Sequence, residues 1–465
     1  MNKTKTILTE CFFITGIFFI LICPNFLTEG MFMDGLMYSA ISKNLANGIG
    51  TFWNPYLSET LFPEFHEHPP LAFGIQSIFY NLFGESFYVE KIYSVLTFLI
   101  VGVFMVLIWK ELKKSIATAW IPLFLWIISC LVFWGATNNI LENTMAVFII
   151  LSVFIYMKSL KSHHYLFCFL SGCMLFLAFL TKGFTGLYPL SFPFFYWLFI
   201  RKNKFKNCIL DTFIMFLGLT IPALILFSSH ETAYMSIVKY INKQVISSLK
   251  NIQTVDTRFH IIRRFFEENI TSLLFALIIV IIGISKKRIK GLFTNNDKKW
   301  IYTFLALTFS GVIPIMISLK QSAFYALTTI PYLAIALGLL IEPIIRQVFI
   351  MTEKKKQILF YLSFFVFCLA IAVNVFFCGK IGRDKDKLED LHVILPEIPE
   401  NSIISIDKSM HWEDYSLIGY FARYKNISLD NKLKHEYILS ANKQLSDLSY
   451  VLVNDKTKSM FLHKR

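Results

Sequence analysis

Four short segments carry ionisable residues whose types suit general-base catalysis and the binding of an anion. Asp34 in "MDGLMYSAISKNLANG" and Glu142 in "LEN" are carboxylates, and a carboxylate can take the proton of an attacking hydroxyl. Lys182 in "TKG" and Lys320 in "KQSAFY" are ammonium groups that can bind a phosphate. Each residue also has a structural interpretation. Asp34 could cap a helix that begins near Leu36, Glu142 favours a helix N-terminus, and the lysines can extend along apolar surface to water.

The stretch "FPEFHEHPPL", residues 62–71, is unusually rich in histidine, glutamate and proline. His66, Glu67 and His68 could bind a divalent metal, because imidazole and carboxylate are common zinc ligands. Histidines two positions apart, however, point in opposite directions on a strand and converge poorly on a helix. A structural turn is therefore favoured over a metal site, and no cofactor is expected.

A basic cluster in "TRFHIIRRFF" contains Arg258, His260, Arg263 and Arg264. It could be the charged rim of a membrane protein, or it could bind anionic lipid headgroups or a phosphate-linked lipid carrier. The sequence does not separate these alternatives.

The elements that must position these residues are membrane helices. Of the 465 residues, 55% are hydrophobic and only 16% are charged, and a helix of roughly 20 apolar residues crosses about 30 Å of hydrocarbon. The first run is interpreted as a permanent anchor, because no small-residue cleavage site follows it. Eleven apolar runs are predicted to span: 11–27, 92–109, 117–135, 141–157, 165–180, 184–200, 208–228, 270–284, 301–317, 326–345 and 357–378.

Lysine and arginine are distributed unequally between alternate links. Six links, beginning with the N-terminus, contain 21 Lys and Arg, whereas the short links between them contain only Lys182 and Lys320. The positive-inside rule places the first set, and the N-terminus, in the cytoplasm. Two long loops, 28–91 and 229–269, and the tail from residue 379 are then expected on the periplasmic face.

The predicted fold class is a mainly α polytopic membrane protein of about eleven transmembrane helices. Residues 1–378 form the membrane domain, in which "MYSAISKNLA" and "LAFGIQSIFYNLF" are expected to be amphipathic helices of the first periplasmic loop. Residues 379–465 are expected to form a small periplasmic α/β domain, because "NSIISID" and "SYVLVN" have the pattern of short strands around a helical "YSLIGYFARY". This tail holds 14 Lys and Arg against 13 Asp and Glu, so the net charge of +14 for the whole chain does not indicate a nucleic-acid partner.

The order of these motifs resembles that of the GT-C membrane glycosyltransferases, specifically the bacterial branch related to aminoarabinose transferase and to dolichyl-phosphate-mannose protein mannosyltransferases. Asp34 matches the acid after the first span, "HPPL" from His68 matches a "K-P-P-L" or "H-P-P-L" turn, and Glu142 matches a second acid. "TKG" and the segment from Lys320 to Pro331, which includes Tyr325, match later elements. Two departures are Gly35, where a second acid is frequent, and His68, where lysine is commoner.

The resemblance implies a GT-C fold and an inverting transfer of a sugar from a polyprenyl-phosphate donor to a lipid or protein acceptor, in the bacterial cytoplasmic membrane. Asp34 and Glu142 are the catalytic candidates. The candidates for binding the donor phosphate and substrate are His68, Lys182, Lys320, Tyr325, Arg258 and Glu67. The sugar and the acceptor are not specified.

A transporter or lipid flippase is the alternative interpretation, since it would also be polytopic and basic. It fits less well, because transporters usually contain internal repeats and ionisable residues at the bilayer midplane. A non-catalytic scaffold would explain the tail but not the ordered motifs on the outer face.

Overall fold

A computed structural model describes residues 3–202, 204–250, 252–286, 293–348, 352–447 and 449–465, with side chains described from residue 7 in the first helix. The α-helices are α1 (Lys3–Leu21), α2 (Cys23–Leu27), α3 (Met33–Ala46), α4 (Leu71–Phe83), α5 (Tyr88–Glu111), α6 (Trp120–Ile127), α7 (Cys130–Gly135), α8 (Leu141–Ser159), α9 (His164–Lys182), α10 (Phe192–Phe195), α11 (Phe205–Ser229), α12 (Glu231–Tyr240), α13 (Ser247–Lys250), α14 (His260–Glu268), α15 (Ile270–Ser285), α16 (Asn295–Val312), α17 (Ile330–Val348), α18 (Glu353–Phe377), α19 (Lys385–Ile394) and α20 (Tyr415–Lys425). The strands are β1 (Ile403–Ile406), β2 (Ser428–Asp430), β3 (Tyr437–Ser440), β4 (Val451–Leu452) and β5 (Phe461–Lys464).

Within the described ranges, seven helical segments are long and apolar enough to cross a membrane, and an eighth is the bent pair of α14 and α15. These eight account for eight of the eleven predicted runs. The chain is therefore a mainly α, multi-pass membrane protein, as predicted. By length and composition, up to eight segments of the described ranges qualify as spans, where about eleven were expected.

The other three runs are helical but divided into shorter pieces. Run 11–27 breaks between α1 and α2, and run 184–200 consists of a 3-10 segment, α10 and a π-helical segment. Pro189 and Pro193 lie in that last run, and proline lacks the N–H that a continuous helix needs. Apolar composition alone does not reveal these breaks.

Run 117–135 is divided at Ser129, between α6 and α7, and this break faces the bend between α14 and α15. The Ser129 hydroxyl donates hydrogen bonds to the Glu268 carbonyl (3.2 Å) and to Asn269 Oδ1 (3.0 Å). Asn269 is buried and lies where α15 leaves α14 at an angle of 61°. The polar groups released at two helix breaks thus satisfy each other inside an apolar environment.

The described chain forms two compact units, and the first comprises Met1–Pro24, Ser94–Ala136 and Leu141–Phe376. Its core contains stacked aromatic rings, such as Phe98 on Trp126 with centroids 4.2 Å apart. Large apolar side chains are exposed on its outer helices, including Leu224 on α11 and Val375 on α18, which are 68% and 73% exposed. Such surfaces are suited to contact with lipid.

The second unit comprises Asn25–Tyr93, Thr137–Ile140 and Phe377–Arg465. Its sheet has the strand order β2-β1-β3-β5-β4, with β1 parallel to both neighbours and β5 antiparallel to β3 and β4. The strands predicted in "NSIISID" and "SYVLVN" are β1 and β4, and the helix predicted in "YSLIGYFARY" is α20. The predicted α/β character of the tail is therefore correct.

Both helices predicted in the first long loop are present, and they differ in burial. Helix α4 has an exposed apolar side, with Ile78, Leu82 and Phe83 each more than half exposed. Helix α3 is buried from residue 35 to residue 44, because α4 packs on one side of it and α20 on another. Helix α3 is therefore a core helix of this unit.

A buried guanidinium–carboxylate pair connects the tail to the first loop inside the second unit. Arg423 of α20 donates to Glu90 from Nε (3.1 Å) and Nη2 (2.9 Å), and also to the carbonyls of Glu85 (2.9 Å) and Ser86 (3.1 Å). The Tyr80 hydroxyl donates to Glu90 at 2.9 Å. Burial alone would lower the pKa of Arg423. The negative charge of Glu90 outweighs this effect and holds the pKa above its usual range.

The start of α3 is held by the segment 137–140. The Phe32 N–H donates to Asn138 Oδ1 at 2.9 Å, and Asn139 Nδ2 donates to the Gly35 carbonyl (3.2 Å) and to Ser39 Oγ (2.9 Å). A Cβ atom at Gly35 would lie 2.1 Å from the Asn138 carbonyl oxygen. This close approach explains why position 35 carries no second acid in this chain.

Replacing Arg423 with Met is expected to destabilise the protein by about 3 to 5 kcal/mol, because Glu90 would remain buried without its counter-charge. Lys434→Met is the control, since Lys434 forms an exposed pair with Asp447, worth about 0.2 to 1 kcal/mol. Chemical unfolding in detergent measures both. Equal, small losses for the two variants would show that the buried pair does not hold the tail to the loop.

Replacing Gly35 with Ala is expected to destabilise the protein by about 1 to 3 kcal/mol, because the added methyl group overlaps the Asn138 carbonyl. The control is Gly102→Ala in α5, where a Cβ would meet only side-chain atoms at 3.4 Å and beyond. Melting temperatures in detergent distinguish the two. An unchanged melting temperature for Gly35→Ala would refute the close packing at Asn138.

Candidate active site

The predicted site residues are distributed over both compact units, and each group is described within its own unit. The first unit contains Glu142, Lys182, Arg258, Lys320 and Tyr325. The second unit contains Asp34, Glu67 and His68.

Glu142 and Lys182, predicted separately from "LEN" and "TKG", form a buried ion pair. Glu142 lies in the first turn of α8, Lys182 is the last residue of α9, and their side chains are 1% and 7% exposed. The ammonium also lies 5.1 Å from the ring centroid of Phe324 and 4.8 Å from that of Tyr325. The predicted site residues Glu142 and Tyr325 therefore both contact Lys182, which is a third predicted site residue.

Local sequence explains why both charges lie at helix ends. Gly183 ends α9 with φ at 82°, a conformation that suits glycine, and its N–H donates to the Phe179 carbonyl. A Cβ at this position would lie 1.8 Å from the Tyr240 hydroxyl oxygen. The acid at the start of α8 and the cation at the end of α9 both complement the helix dipoles.

Lys320 and Arg258 lie in two loops that are bonded to each other. The Gln321 side chain donates to the Arg258 carbonyl (3.0 Å) and accepts from the Ile261 N–H (2.8 Å). Lys320 Nζ donates to Gln244 Oε1 at 3.2 Å, and Arg258 Nη1 donates to the Ile317 carbonyl at 2.6 Å. Sequence reasoning missed Gln244 and Gln321; the only signal was the adjacency of Gln321 to Lys320.

Asp34 lies in the first turn of α3 and is half-buried. The suggestion that it caps a helix beginning near Leu36 is wrong, because α3 begins at Met33 and Phe32 occupies the N-cap position. Asp34 is the second residue of the helix, where its charge still favours the dipole. Its carboxylate is thus not required for capping, and its catalytic role stays a prediction.

The "HEHPPL" turn packs against α3 in the second unit. The His68 ring lies edge-on to Tyr38, with centroids 5.9 Å apart, and is 6.3 Å from Phe65. His66 is buried, with Nε2 3.4 Å from a Glu64 carboxylate oxygen. Pro70 is the N-cap residue of α4, which agrees with a structural role for the prolines. The preference for a turn over a metal site here stays a prediction.

The arrangement around Lys182 is chemically suited to anion exchange. A buried ammonium that is neutralised by a carboxylate can donate a hydrogen bond to a phosphate oxygen, either in addition to the carboxylate or in its place. The two aromatic faces stabilise the cation by interaction with its charge and restrict its position. In the first unit this is where the predicted phosphate-binding and acidic residues coincide.

Residues 67–231 match a protein family described as dolichyl-phosphate-mannose-protein mannosyltransferase. The matched segment includes four predicted site residues: Glu67, His68, Glu142 and Lys182. No curated protein matches the chain.

Solved structures match almost the whole chain. ArnT from Cupriavidus metallidurans in the apo state is 12% identical and superposes with a TM-score of 0.65, covering 96% of this chain and 95% of ArnT. ArnT bound to undecaprenyl phosphate superposes with a TM-score of 0.64 at the same identity and coverage. The apo oligosaccharyltransferase of Archaeoglobus fulgidus is 10% identical, with a TM-score of 0.55, covering 92% of this chain and 64% of its own.

At this identity the structural matches establish the fold, and the family match supplies an independent likeness in sequence over 67–231. Together they confirm the resemblance predicted from the motifs: the chain has the GT-C fold of the polytopic membrane glycosyltransferases.

Proposed function

We propose that the protein is a glycosyltransferase that moves a sugar from a polyprenyl-phosphate donor to an acceptor hydroxyl. The observation that carries this proposal is the buried Glu142–Lys182 pair beside Tyr325, which lies in the first unit and largely within the family-matched segment. The ArnT fold, seen in a structure bound to undecaprenyl phosphate, supports the same donor class.

Lys182 is proposed to bind the donor phosphate, with Tyr325 restricting the position of its ammonium. Lys320 and Arg258 are proposed as further cations for the phosphate, because their loops are joined through Gln321 in the same unit. Their positive charges would stabilise the phosphate as it leaves. His68 and Glu67 are proposed to contribute to substrate binding from the "HEHPPL" turn.

Asp34 is proposed as the general base. It takes the proton of the acceptor hydroxyl, whose oxygen forms a bond to the anomeric carbon while the bond from that carbon to the phosphate oxygen breaks. The configuration is inverted, and the polyprenyl phosphate leaves with the bonding electrons. Glu142 is the second candidate for the base; its pairing with Lys182 favours a role in holding that ammonium. No metal or other cofactor is required.

The proposed location is the bacterial cytoplasmic membrane, with the N-terminus in the cytoplasm and the reaction on the periplasmic face. This donor class suits that face, which has no pool of nucleotide sugars. A lipid-linked glycan, lipid A or a protein could each supply the hydroxyl. Mass spectrometry of envelope glycolipids and glycoproteins from deletion and wild-type cells would name the sugar and acceptor by the missing mass. A transporter is not favoured, because the family match points to sugar transfer.

Replacing Asp34 with Asn is expected to slow transfer by about 10² to 10⁴-fold, because the side chain keeps its shape and loses its basicity. The measurement is the rate at which the mass increment reappears in deletion cells that express each variant at equal level. Glu59→Gln, an exposed acid of the same loop, is the control. A rate for Asp34→Asn close to that of Glu59→Gln would remove Asp34 from the mechanism.

Replacing Lys182 or Lys320 with Gln is expected to weaken binding of undecaprenyl phosphate by about 1.5 to 3 kcal/mol each, the strength of a hydrogen bond to a charged group. This corresponds to a Kd increase of roughly ten- to a hundred-fold. Titration of purified variants with the lipid phosphate measures it, and Lys243→Gln, an exposed lysine beside Gln244, is the control.

Lys182→Gln removes the cation that neutralises the buried Glu142 carboxylate, which could destabilise the protein. The double variant Glu142→Gln, Lys182→Gln therefore separates the effect on lipid-phosphate affinity from the effect on folding. It removes both charges of the pair, and we expect it to fold like the wild type and still bind the lipid phosphate weakly. Wild-type affinity in the double variant would show that Lys182 does not contact the phosphate.

A further inference from the structure

We propose that His164, Cys168 and Asp211 form a binding site for a divalent transition-metal cation of the zinc class, at the end of α9 opposite Lys182. The potential ligand atoms of these three residues all lie within 4.8 Å of one another. Cys168 and Asp211 are almost fully buried, while the His164 side chain is 34% exposed and provides a route from solvent. The site lies entirely in the first unit.

The spacing of the three residues follows from two neighbouring helices. His164 and Cys168 are four positions apart on α9 and therefore share one face of it. Asp211 comes from the second turn of α11, which packs along α9. One nitrogen, one sulfur and one oxygen ligand form a set that zinc accepts with tetrahedral geometry, leaving its fourth position to water.

The hydrogen bonds of His164 direct its Nε2 atom at Asp211. Nδ1 lies 3.1 Å from the Ser159 carbonyl oxygen, which can only accept, so Nδ1 carries the proton. In the neutral ring, Nε2 then presents a lone pair to Asp211 Oδ1 at 2.7 Å. At 2.7 Å the two atoms share a proton, and a metal ion would take its place after the two ligand atoms move slightly apart, because zinc ligands stand about 2.0 to 2.2 Å from the ion.

The surrounding groups have the arrangement that orients metal ligands. The Ser159 carbonyl fixes the tautomer of His164, as backbone carbonyls commonly do for metal-bound histidine. The Tyr156 hydroxyl donates to Asp211 Oδ2 at 3.0 Å and leaves Oδ1 directed at the histidine. The Ser159 hydroxyl oxygen lies 3.4 Å from Cys168 Sγ. All three supporting contacts come from the last turn of α8.

Cys168 distinguishes a metal from a proton as the bridging cation. A proton shared by His164 and Asp211 would make an ion pair in which the thiol takes no part. A metal would displace that proton and the thiol proton, and the thiolate would favour zinc or cobalt over magnesium or calcium. The ion would then cross-link α9 and α11, with α8 supporting both.

This site is separate from the proposed sugar transfer. Lys182 lies eighteen positions after His164 on α9, which at 1.5 Å per residue corresponds to about 27 Å along the helix. In the predicted orientation the metal site faces the cytoplasm, where reducing conditions keep Cys168 as a thiol. The metal-site proposal can therefore be tested independently of the proposed function.

The experiment uses Co²⁺ as a spectroscopic probe on the full-length protein in detergent, after reduction and removal of bound metal. Coordination by a thiolate gives a sulfur-to-cobalt charge-transfer absorption, which carboxylate or imidazole ligands do not produce. We expect one Co²⁺ per chain with this absorption in the wild type, its disappearance in Cys168→Ser, and its displacement by Zn²⁺. Cys173→Ser, a partly buried thiol on the same helix, is the matched control and should keep the absorption.

The outcomes separate cleanly. Loss of the charge-transfer band in Cys168→Ser and in Asp211→Asn, with retention in Cys173→Ser, supports the site. A wild-type protein that shows no such band, or a band that Cys168→Ser leaves unchanged, overturns it and assigns a proton to the His164–Asp211 contact. Melting temperatures of the variants without metal establish that each is folded.

Discussion

The pairing of Arg423 with Glu90 is the interaction on which the organisation of the second unit depends. Removing two charges from water costs several kcal/mol per ion, and that cost is offset only when the pair is close and fully hydrogen-bonded. Here the guanidinium donates two hydrogen bonds to the carboxylate and two to backbone carbonyls, and the Tyr80 hydroxyl donates a further hydrogen bond to the carboxylate. Because α20 carries Arg423 and also covers α3, the tail and the first loop form one folded body. Helix α3, which carries Asp34, is therefore packed within this body.

The first unit uses a related arrangement for a different purpose. Glu142 and Lys182 are also buried and opposite in charge, yet they lie at helix termini beside aromatic rings, and a terminus is where a polar ligand can approach. Burying the charges of Glu142 and Lys182 costs desolvation free energy, so stability alone is a weak reason for the pair. A requirement to bind a phosphate gives a physical reason for retaining them, and this links the geometry to the proposed reaction.

Helix α9 combines both kinds of polar cluster at its two ends. Its C-terminal end presents Lys182, and its N-terminal end presents His164 and Cys168 close to Asp211 of α11. The middle of the helix is apolar, as a membrane span requires. These two clusters, like the contact of Ser129 with Asn269, lie at helix ends or breaks, where backbone groups already need partners.

The sequence by itself determined the fold class, the family resemblance and the α/β character of the tail, because hydrophobic run length, residue pattern and motif order are properties of the linear chain. It also singled out Glu142, Lys182 and Tyr325, each within its own motif. Only the tertiary structure decided that these three residues meet, that α3 is buried beneath α20, and that His164, Cys168 and Asp211 converge. Only the tertiary structure also showed that three of the apolar runs are broken helices. Contacts between residues far apart in sequence arise from helix packing, and no local pattern of apolar and polar residues encodes which distant partner a buried charge will find.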